Sequence, residues 1–500
     1  MRLNQPRTEV MLGIDVGTQS AKCVVLDANG QLLGVGQQGY PVLTPRPNWA
    51  EQDPEAWWQA VIAAVRDALR QANISASRLH SIGLTGQMHG VVLLDATYAP
   101  IRPAIIWMDR RSANLCDVIL KRVPQEVVVS VAGNRLSPGF AGASLAWLRE
   151  VEPETLRRTR AVVQPKDYIA LRLIGELSSE PSDASATWLF DIGARRWSEQ
   201  LAAACGVPLE ILPPVSESAA VVGTLRAESA ELLGVRPGLP VVAGAADQAA
   251  LLLGAGVVEP GRGVITLGTG GQVTVVSHQP RIDPQLRLNT FCHAIPDRWY
   301  TMGAILNGGM ALRWWRNAVD LTQSRAYPDL ISEAERVPAG AEGLIFLPYL
   351  EGERTPHMDP DASAAFVGMT LRHGQGHLTR AVLEGVAFAF RDCLLTLQAV
   401  GPVPDHFLVG GGGARSPLWR QILASVLGVT VQTIEGTEHT ALGAALLAGL
   451  GAHLFFDLGE AVARVVDYGP TEAPDPDDQA HYAEQHRRFR ALYPALRGVR

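Results

Sequence analysis

Residues 10–26, VMLGIDVGTQSAKCVVL, carry the fold: β-branched and apolar residues flank a Gly17-Thr18 bend, the pattern of two short strands joined by a tight turn. Residues 263–276, GVITLGTGGQVTVV, repeat that pattern with Gly268-Thr269-Gly270 at the bend. About half a chain separates the two, far more than the roughly 20–50 residues of a solenoid period, so the echo predicts two related domains that each open on a hairpin. Between and after the hairpins, apolar strands alternate with helical stretches, as in HSIGLTGQM, PAIIW, and LPVVAGAAD followed by QAALLLGAG. That rhythm is α/β. The turn residues of GAGVVEPGRG put the boundary near 255–262, giving domains over 10–257 and 258–450 and an extension over 451–500. In the extension, PTEAPDPDD (470–478) reads as a loop and the arginine-rich segment behind it as a terminal surface helix.

Composition supports a globular chain of this kind. At 500 residues it exceeds the roughly 250–300 that one core organises, and 47% hydrophobic against 19% charged residues supply ample core material. The net charge is -7 and the basic residues are scattered, nearly all arginine, so no basic stripe points to nucleic acid; small-molecule ligands fit better. Cys23, Cys116, Cys205, Cys292 and Cys393 have no metal-type spacing, as expected of reduced thiols in the cytoplasm. No apolar run of signal-peptide type precedes Asp15. The apolar stretch 239–258 is broken by Asp247 and three glycines, which argues against a membrane span.

Several motifs carry chemistry. A turn at Gly17, which lacks a Cβ, lets a polyphosphate approach backbone N–H groups, with Thr18, Gln19 and Ser20 adding polar side chains and Lys22 a positive charge. Asp15 beside it suits Mg²⁺, a cation that takes oxygen ligands and is commonly shared between a carboxylate and a nucleotide. Each hairpin is also compatible with an ordinary turn, but two of them facing one cleft would clamp phosphates from both sides, with Gly268, Thr269 and Gly270 as the second clamp. No G-x-x-x-x-G-K-[ST] loop is present. Asp247, between an apolar strand and a helical run, is either a helix N-cap or a base that accepts a hydroxyl proton. The run VGGGGARSPLW, with Gly411, Gly412 and Gly413, is either a flat seat for adenosine or a tight structural turn. His373 and His377 are separated by glycines that disfavour helix, so they read as exposed loop residues. Val382, Leu383, Val386, Phe390 and Leu394 have the spacing of a core helix.

These motifs, in this order, resemble the FGGY family of carbohydrate kinases from about residue 10 to about residue 450, and WAEQDPEAWW (49–58), TGQMHG (85–90), PKDY (165–168), CHAIP (292–296), FLPYLEGERTPH (346–357) and GGGARSPLWRQ (411–421) strengthen the likeness. The resemblance implies two actin-like (ribonuclease-H-like) domains closing over ATP, Mg²⁺ and a sugar. It implies Asp247 as the base and Asp15 as the phosphate- and metal-site carboxylate. Met88, His89, Trp107, Asp109, Asp247 and Gln248 are implied on the sugar side, and a homodimer as the assembly. Met88-His89, where glycerol-phosphorylating members carry Arg-Glu, implies phosphorylation of D-xylulose. Met108 and Gln248 stand where Asn is usual, which keeps another ketose or a polyol open. A reading from a different class is an actin-like nucleotide switch that senses sugar without transferring phosphate.

Overall fold

The computed structural model describes residues 9–320, 325–455 and 457–498. In the first half, β1 (Val10–Val16), β2 (Ser20–Asp27), β3 (Leu32–Gly39), β4 (Leu79–Gly86), β5 (Val221–Thr224), β6 (Pro240–Val242) and β7 (Ala245–Ala246) form a seven-stranded sheet in the order β5-β6-β4-β1-β2-β3, with β7 also on β4. In the second, β8 (Gly263–Leu267), β9 (Gly271–Ser277), β10 (Asn289–Cys292), β11 (Trp299–Ile305), β12 (His406–Gly410), β13 (Thr430–Ile434) and β14 (Tyr468–Glu472) run in the order β10-β11-β9-β8-β12-β13-β14.

The echo in the sequence is an echo in topology. In each sheet the hairpin strands are antiparallel, the first of them runs parallel to a distant strand, that strand runs parallel to the next, and an antiparallel strand closes the edge. This is the two-domain actin-like α/β architecture expected from the sequence.

Seven helices matter for the site: α1 (Pro54–Ala72), α2 (Asp247–Gly254), α3 (Gly309–Val319), α4 (Gln375–Gln398), α5 (Pro417–Leu427), α6 (His439–Gly451) and α7 (Pro476–Leu496). α1 starts where Asp53 accepts from Glu55 N–H at 2.9 Å with Pro54 in the first turn, and ends at Asn73 in the left-handed region. Its Trp57, Val61 and Val65 cover the outer face of the first sheet.

Period-two alternation sorts the strand residues between two cores. Val10, Leu12, Ile14 and Val16 of β1 join the α1 side, whereas Met11 joins a core shared with α2 and α6. Gly13 and Asp15 follow Met11 onto that inner face. On β2, Val24 and Leu26 point the same way, so Lys22 does too. Val264 of β8 and Leu408 of β12 reach this same shared core from the second sheet. It therefore lies between the domains.

α6 lies in backbone contact with the first sheet. A Cβ on Gly13 would come within 2.0 Å of the Ala441 carbonyl oxygen, and one on Gly83 within 1.9 Å of that of Ala444. α6 crosses α2 as closely, because a Cβ on Gly443 would meet the Ala250 oxygen at 1.9 Å.

Three sequence expectations need correction. β14 takes in Pro470 to Glu472 and α7 begins at Pro476, so little of 470–478 is loop: Arg420 holds Glu472 at 2.6 Å, and Asp475 caps α7. His377 sits in the first turn of α4 despite Gly376, and both it and His373 are half-buried. Their Nδ1 atoms accept the Gly374 and Thr370 N–H groups at 3.2 and 2.8 Å, a local capping that propensity alone does not foresee. The strand before Asp247 is broken at Gly244, whose φ of 83° ends β6 and restarts the chain as β7. Val382, Leu383, Val386, Phe390 and Leu394 are buried in α4 as expected. Among the described residues no helix is long and apolar enough to cross a membrane.

Gly443→Val should lower the midpoint of urea unfolding by the equivalent of about 1–3 kcal/mol, the usual cost of overpacking, and a midpoint unchanged from wild type would remove the close contact of α6 with α2.

Candidate active site

Both hairpin turns have their carbonyls tied back by protein donors. The Gly17 oxygen accepts from Tyr40 OH at 2.5 Å and from Gln87 Nε2 at 3.4 Å, and the Thr18 oxygen accepts from Gln52 Nε2 at 2.8 Å. In the second turn, the Gly268 oxygen accepts from Gly309 N–H at 2.7 Å, and the Thr269 oxygen from the Gly308 and Met310 N–H groups, each at 3.0 Å. These last donors stand at the start of α3. Turning the carbonyls into the protein removes negative dipole ends from the face a polyphosphate would approach. Gln19 and Thr269 are exposed, Thr18 and Ser20 half-buried.

The glycine run adjoins the second hairpin. Gly411 has φ 95°, and a Cβ there would meet the Leu267 oxygen at 2.5 Å, so the turn that leaves β12 must be glycine to lie against β8. Gly412 has open space on its Cβ side, and Gly413 packs on the Leu267 side chain. Ser416 caps α5 by accepting Trp419 N–H at 3.2 Å. The run has both properties that the sequence left as alternatives, a tight turn at Gly411 and a bare surface at Gly412.

At the first hairpin Asp15 stands opposite Lys22 in the strand register. Lys22 Nζ pairs instead with Glu438 of the second half at 3.0 Å, and the buried Asp15 Oδ1 has no hydrogen-bond partner. Burial, with Asp247 adding to it, pushes the Asp15 carboxyl up to about 8 against the opposing pull of Lys22. Asp247 is the first residue of α2; the N-cap is Ala246, so the capping alternative does not describe it. Desolvation raises its carboxyl to about 7, with the Gln248 N–H drawing it down. Two recessed carboxylates with raised affinity for protons thus stand close enough to act on one another.

On the sugar side Met88 is buried and His89 has φ 69°. The His89 ring stacks on Phe140 at 4.2 Å, Nδ1 donates to the Ala186 oxygen at 2.5 Å, and the backbone N–H donates to Gln164 Oε1 at 3.2 Å. Desolvation lowers the ring to about 4, aided by the charge of Arg354, so it is neutral at pH 7 with Nε2 as an acceptor. Trp107 and Met108 are exposed, and Trp107 Nε1 donates to Thr18 Oγ1 at 2.9 Å, joining it to the turn of the first hairpin. Gln248 is half-buried beside Asp247. Asp109 departs from the expectation of sugar contact: it is fully buried and both oxygens are engaged, by Ala50 N–H at 2.7 Å and by Arg111 at 2.7–2.9 Å. It anchors Arg111, which lies over the Trp49 ring at 3.6 Å and bonds Glu51 at 2.7 Å.

Sequence reasoning passed over Tyr40, Gln52, Gln87, Phe140 and Glu438. Gln52 and Gln87 lie inside WAEQDPEAWW and TGQMHG, two of the stretches that carried the resemblance, and that was the available signal. Glu438 has none, since only the fold brings it to Lys22.

Folding lifts Asp15 from its ordinary value of 3.8 to about 8, so the folded chain holds a proton that the unfolded chain releases between those values. The stability this contributes is complete below the unfolded value and is lost as pH rises through the folded one. In thermal melts of the ligand-free protein, Asp15→Asn should melt above wild type at about pH 9, and the gap should narrow toward about pH 5; a gap that is constant across pH would disprove the shift.

Comparison with known proteins agrees with this arrangement. The N-terminal domain of the FGGY family of carbohydrate kinases matches residues 10–254 and its C-terminal domain residues 263–452. A xylulose kinase of Escherichia coli (strain K12) is 39% identical over 97% of this chain and 99% of its own length. A gluconokinase of Bacillus subtilis (strain 168) is 31% identical over 95% and 94%. The crystal structure of xylulose kinase from Rhodospirillum rubrum superposes with a TM-score of 0.92 at 32% identity, covering 98% of this chain and 99% of that one. The chain therefore belongs to the FGGY family of carbohydrate kinases, enzymes that use ATP to phosphorylate sugars.

Proposed function

We propose that this kinase transfers the γ-phosphoryl group of ATP to the 5-hydroxyl of D-xylulose, with Asp247 as the base. The observation that carries the mechanism is a recessed Asp247 at the start of α2, its carboxyl near 7, close enough to Asp15 of the first hairpin to add to the rise of that carboxyl. As the sugar oxygen bonds to the γ-phosphorus, Asp247 takes the hydroxyl proton, and the bond from phosphorus to the bridging oxygen breaks to release ADP. A base near neutrality both exists as carboxylate at pH 7 and holds the proton it receives.

Gly17, Thr18, Gln19, Ser20 and Lys22 on one side and Gly268, Thr269 and Gly270 on the other hold the phosphates in this reading, and Gly411 to Gly413 seat the adenosine. Met88, His89, Trp107 and Gln248 line the sugar, with His89 Nε2 accepting from a sugar hydroxyl. The unpartnered Asp15 Oδ1 fits Mg²⁺, which needs only one or two carboxylates when phosphates and waters complete its shell. Among the described residues no cluster of three or more His, Cys, Asp or Glu is placed to hold a metal, in keeping with that shared mode. When bound, Mg²⁺ supplies charge neutralisation to the phosphates. Five buried free cysteines favour residence in the cytoplasm, and dimerisation is the assembly to test by light scattering.

The xylulose kinases among the relatives favour D-xylulose; the B. subtilis gluconokinase supports D-gluconate as a second reading. The test is ADP release with MgATP and a panel of D-xylulose, D-ribulose, L-xylulose, glycerol and D-gluconate, with the product mass confirmed. We expect D-xylulose to give the highest kcat/KM, and another acceptor in first place would reassign the substrate. Asp247→Ala should lose about 10²–10⁴-fold in kcat while still binding ATP. In the wild type, kcat/KM should fall about tenfold per pH unit below about 7 as Asp247 takes up its proton. Near-normal turnover of Asp247→Ala would remove the base.

A further inference from the structure

Asp247 sits at the end of a segment that is pinned from behind. β6 stops at Val242; Gly244 N–H donates to the Ser218 backbone oxygen at 2.9 Å, and Ala246 N–H donates to Ser182 Oγ at 2.9 Å. The two serines converge on one carboxylate. Ser182 Oγ donates to Glu180 Oε1 at 2.9 Å, and Ser218 Oγ donates to Glu180 Oε2 at 2.9 Å. Glu180 also accepts the Ser182 and Asp183 N–H groups at 2.7 and 2.8 Å. Lys166 Nζ stands 3.6 Å from it, a cation shared with Asp183 at the same distance and held closer still by Asp167, and Glu180, Lys166, Ser182 and Ser218 are all fully buried.

A buried carboxylate is expensive unless each oxygen is satisfied and a cation stands near, and Glu180 meets both conditions. The arrangement is aimed at one place. Removing the Ser182 hydroxyl takes away the side-chain acceptor of Ala246 N–H, and Ala246 is the residue directly before α2, which begins with Asp247. The Ser182 hydroxyl has no spare freedom, since it donates to Glu180 and so presents its lone pair to Ala246 N–H.

We infer that Glu180, through Ser182 and Ser218, is a positioning residue that fixes the place of the Asp247 carboxylate relative to the attacking hydroxyl. The inference rests on Asp247 being the base of the proposed reaction. Glu180 touches neither sugar nor nucleotide; it acts through the Gly244–Asp247 turn. A base displaced by about 1 Å costs on the order of 10²-fold in rate without altering the groups that bind substrate, so the loss belongs in kcat and not in KM.

The experiment compares Ser182→Ala, Ser182→Thr and Glu180→Gln with wild type and Asp247→Ala, measuring kcat and KM for ATP and D-xylulose together with melting temperature. Ser182→Ala and Glu180→Gln should each lose about 10- to 100-fold in kcat with both KM values within about threefold of wild type. Ser182→Thr, which keeps the hydroxyl, should recover most of the rate even if its melting temperature falls as far as that of Ser182→Ala. Should Glu180→Gln not fold, the Ala and Thr pair decides alone. Wild-type kcat in Ser182→Ala, an equal loss in Ser182→Thr, or a change confined to KM would each overturn the positioning role while leaving Asp247 as the base. Full activity of Asp247→Ala would instead overturn the reading on which the inference stands.

Discussion

The backbone contact of α6 with the first sheet is the constraint on which the cleft depends. α6 follows β13 in the second half of the chain, yet its Ala441 and Ala444 carbonyls occupy the space that side chains at Gly13 and Gly83 would fill. Packing this close leaves α6 little room to slide, because a shift of one residue brings side chains over positions that admit none. Glu438 immediately precedes α6, so the same contact delivers Glu438 to Lys22. α2, crossing α6 through Gly443 and Ala250, is located by the same packing, and Asp247 is its first residue. The base of the cleft and the position of its carboxylates are thus one structural fact.

Lys22 stands opposite Asp15 across the hairpin without pairing with it. The ammonium is instead drawn to Glu438 at 3.0 Å, and Asp15 Oδ1 is left buried without a partner. A direct pair would have pulled the Asp15 carboxyl down and occupied the oxygen that a ligand needs. By competing for Lys22, Glu438 keeps Asp15 free at a cost in stability that an ordinary core would not bear. Asp247 carries a similar penalty from desolvation. The Asp15 penalty sits on the inner face of the first sheet, where the alternation through Met11 and Gly13 directs it, and that of Asp247 at the first residue of α2.

That alternation explains what was legible in the sequence. The hairpins are local, their apolar residues repeat every second position, and glycine marks each bend, so fold class, domain echo and both hairpin turns follow from neighbours in the chain. Asp247 was legible as a polar residue between two apolar runs, but not the break at Gly244 that aims it, because a positive φ leaves no mark beyond glycine itself. His377 was misread because backbone capping by its imidazole accompanies a helix start at Gln375 despite Gly376, whereas His373 lies in the loop as expected but is half-buried. Asp109 was misplaced because its neighbour Trp107 does face the cleft, and only the pairing with Arg111 turns the aspartate inward.

The support behind the site could not be read in advance, for a physical reason. Glu180 joins Ser182, two residues away, to Ser218, 38 away, and Ser182 in turn holds Ala246, 64 away. None of these residues is unusual in type or spacing. A buried glutamate announces itself only once the fold has excluded water from it, since its chemistry in sequence is that of a surface residue. Each hairpin turn follows from residues adjacent in the chain; the groups behind Asp247 are assembled by long-range packing. The placement of Asp247 therefore depends on the fold as a whole, which supplies contacts that the sequence motifs alone do not specify.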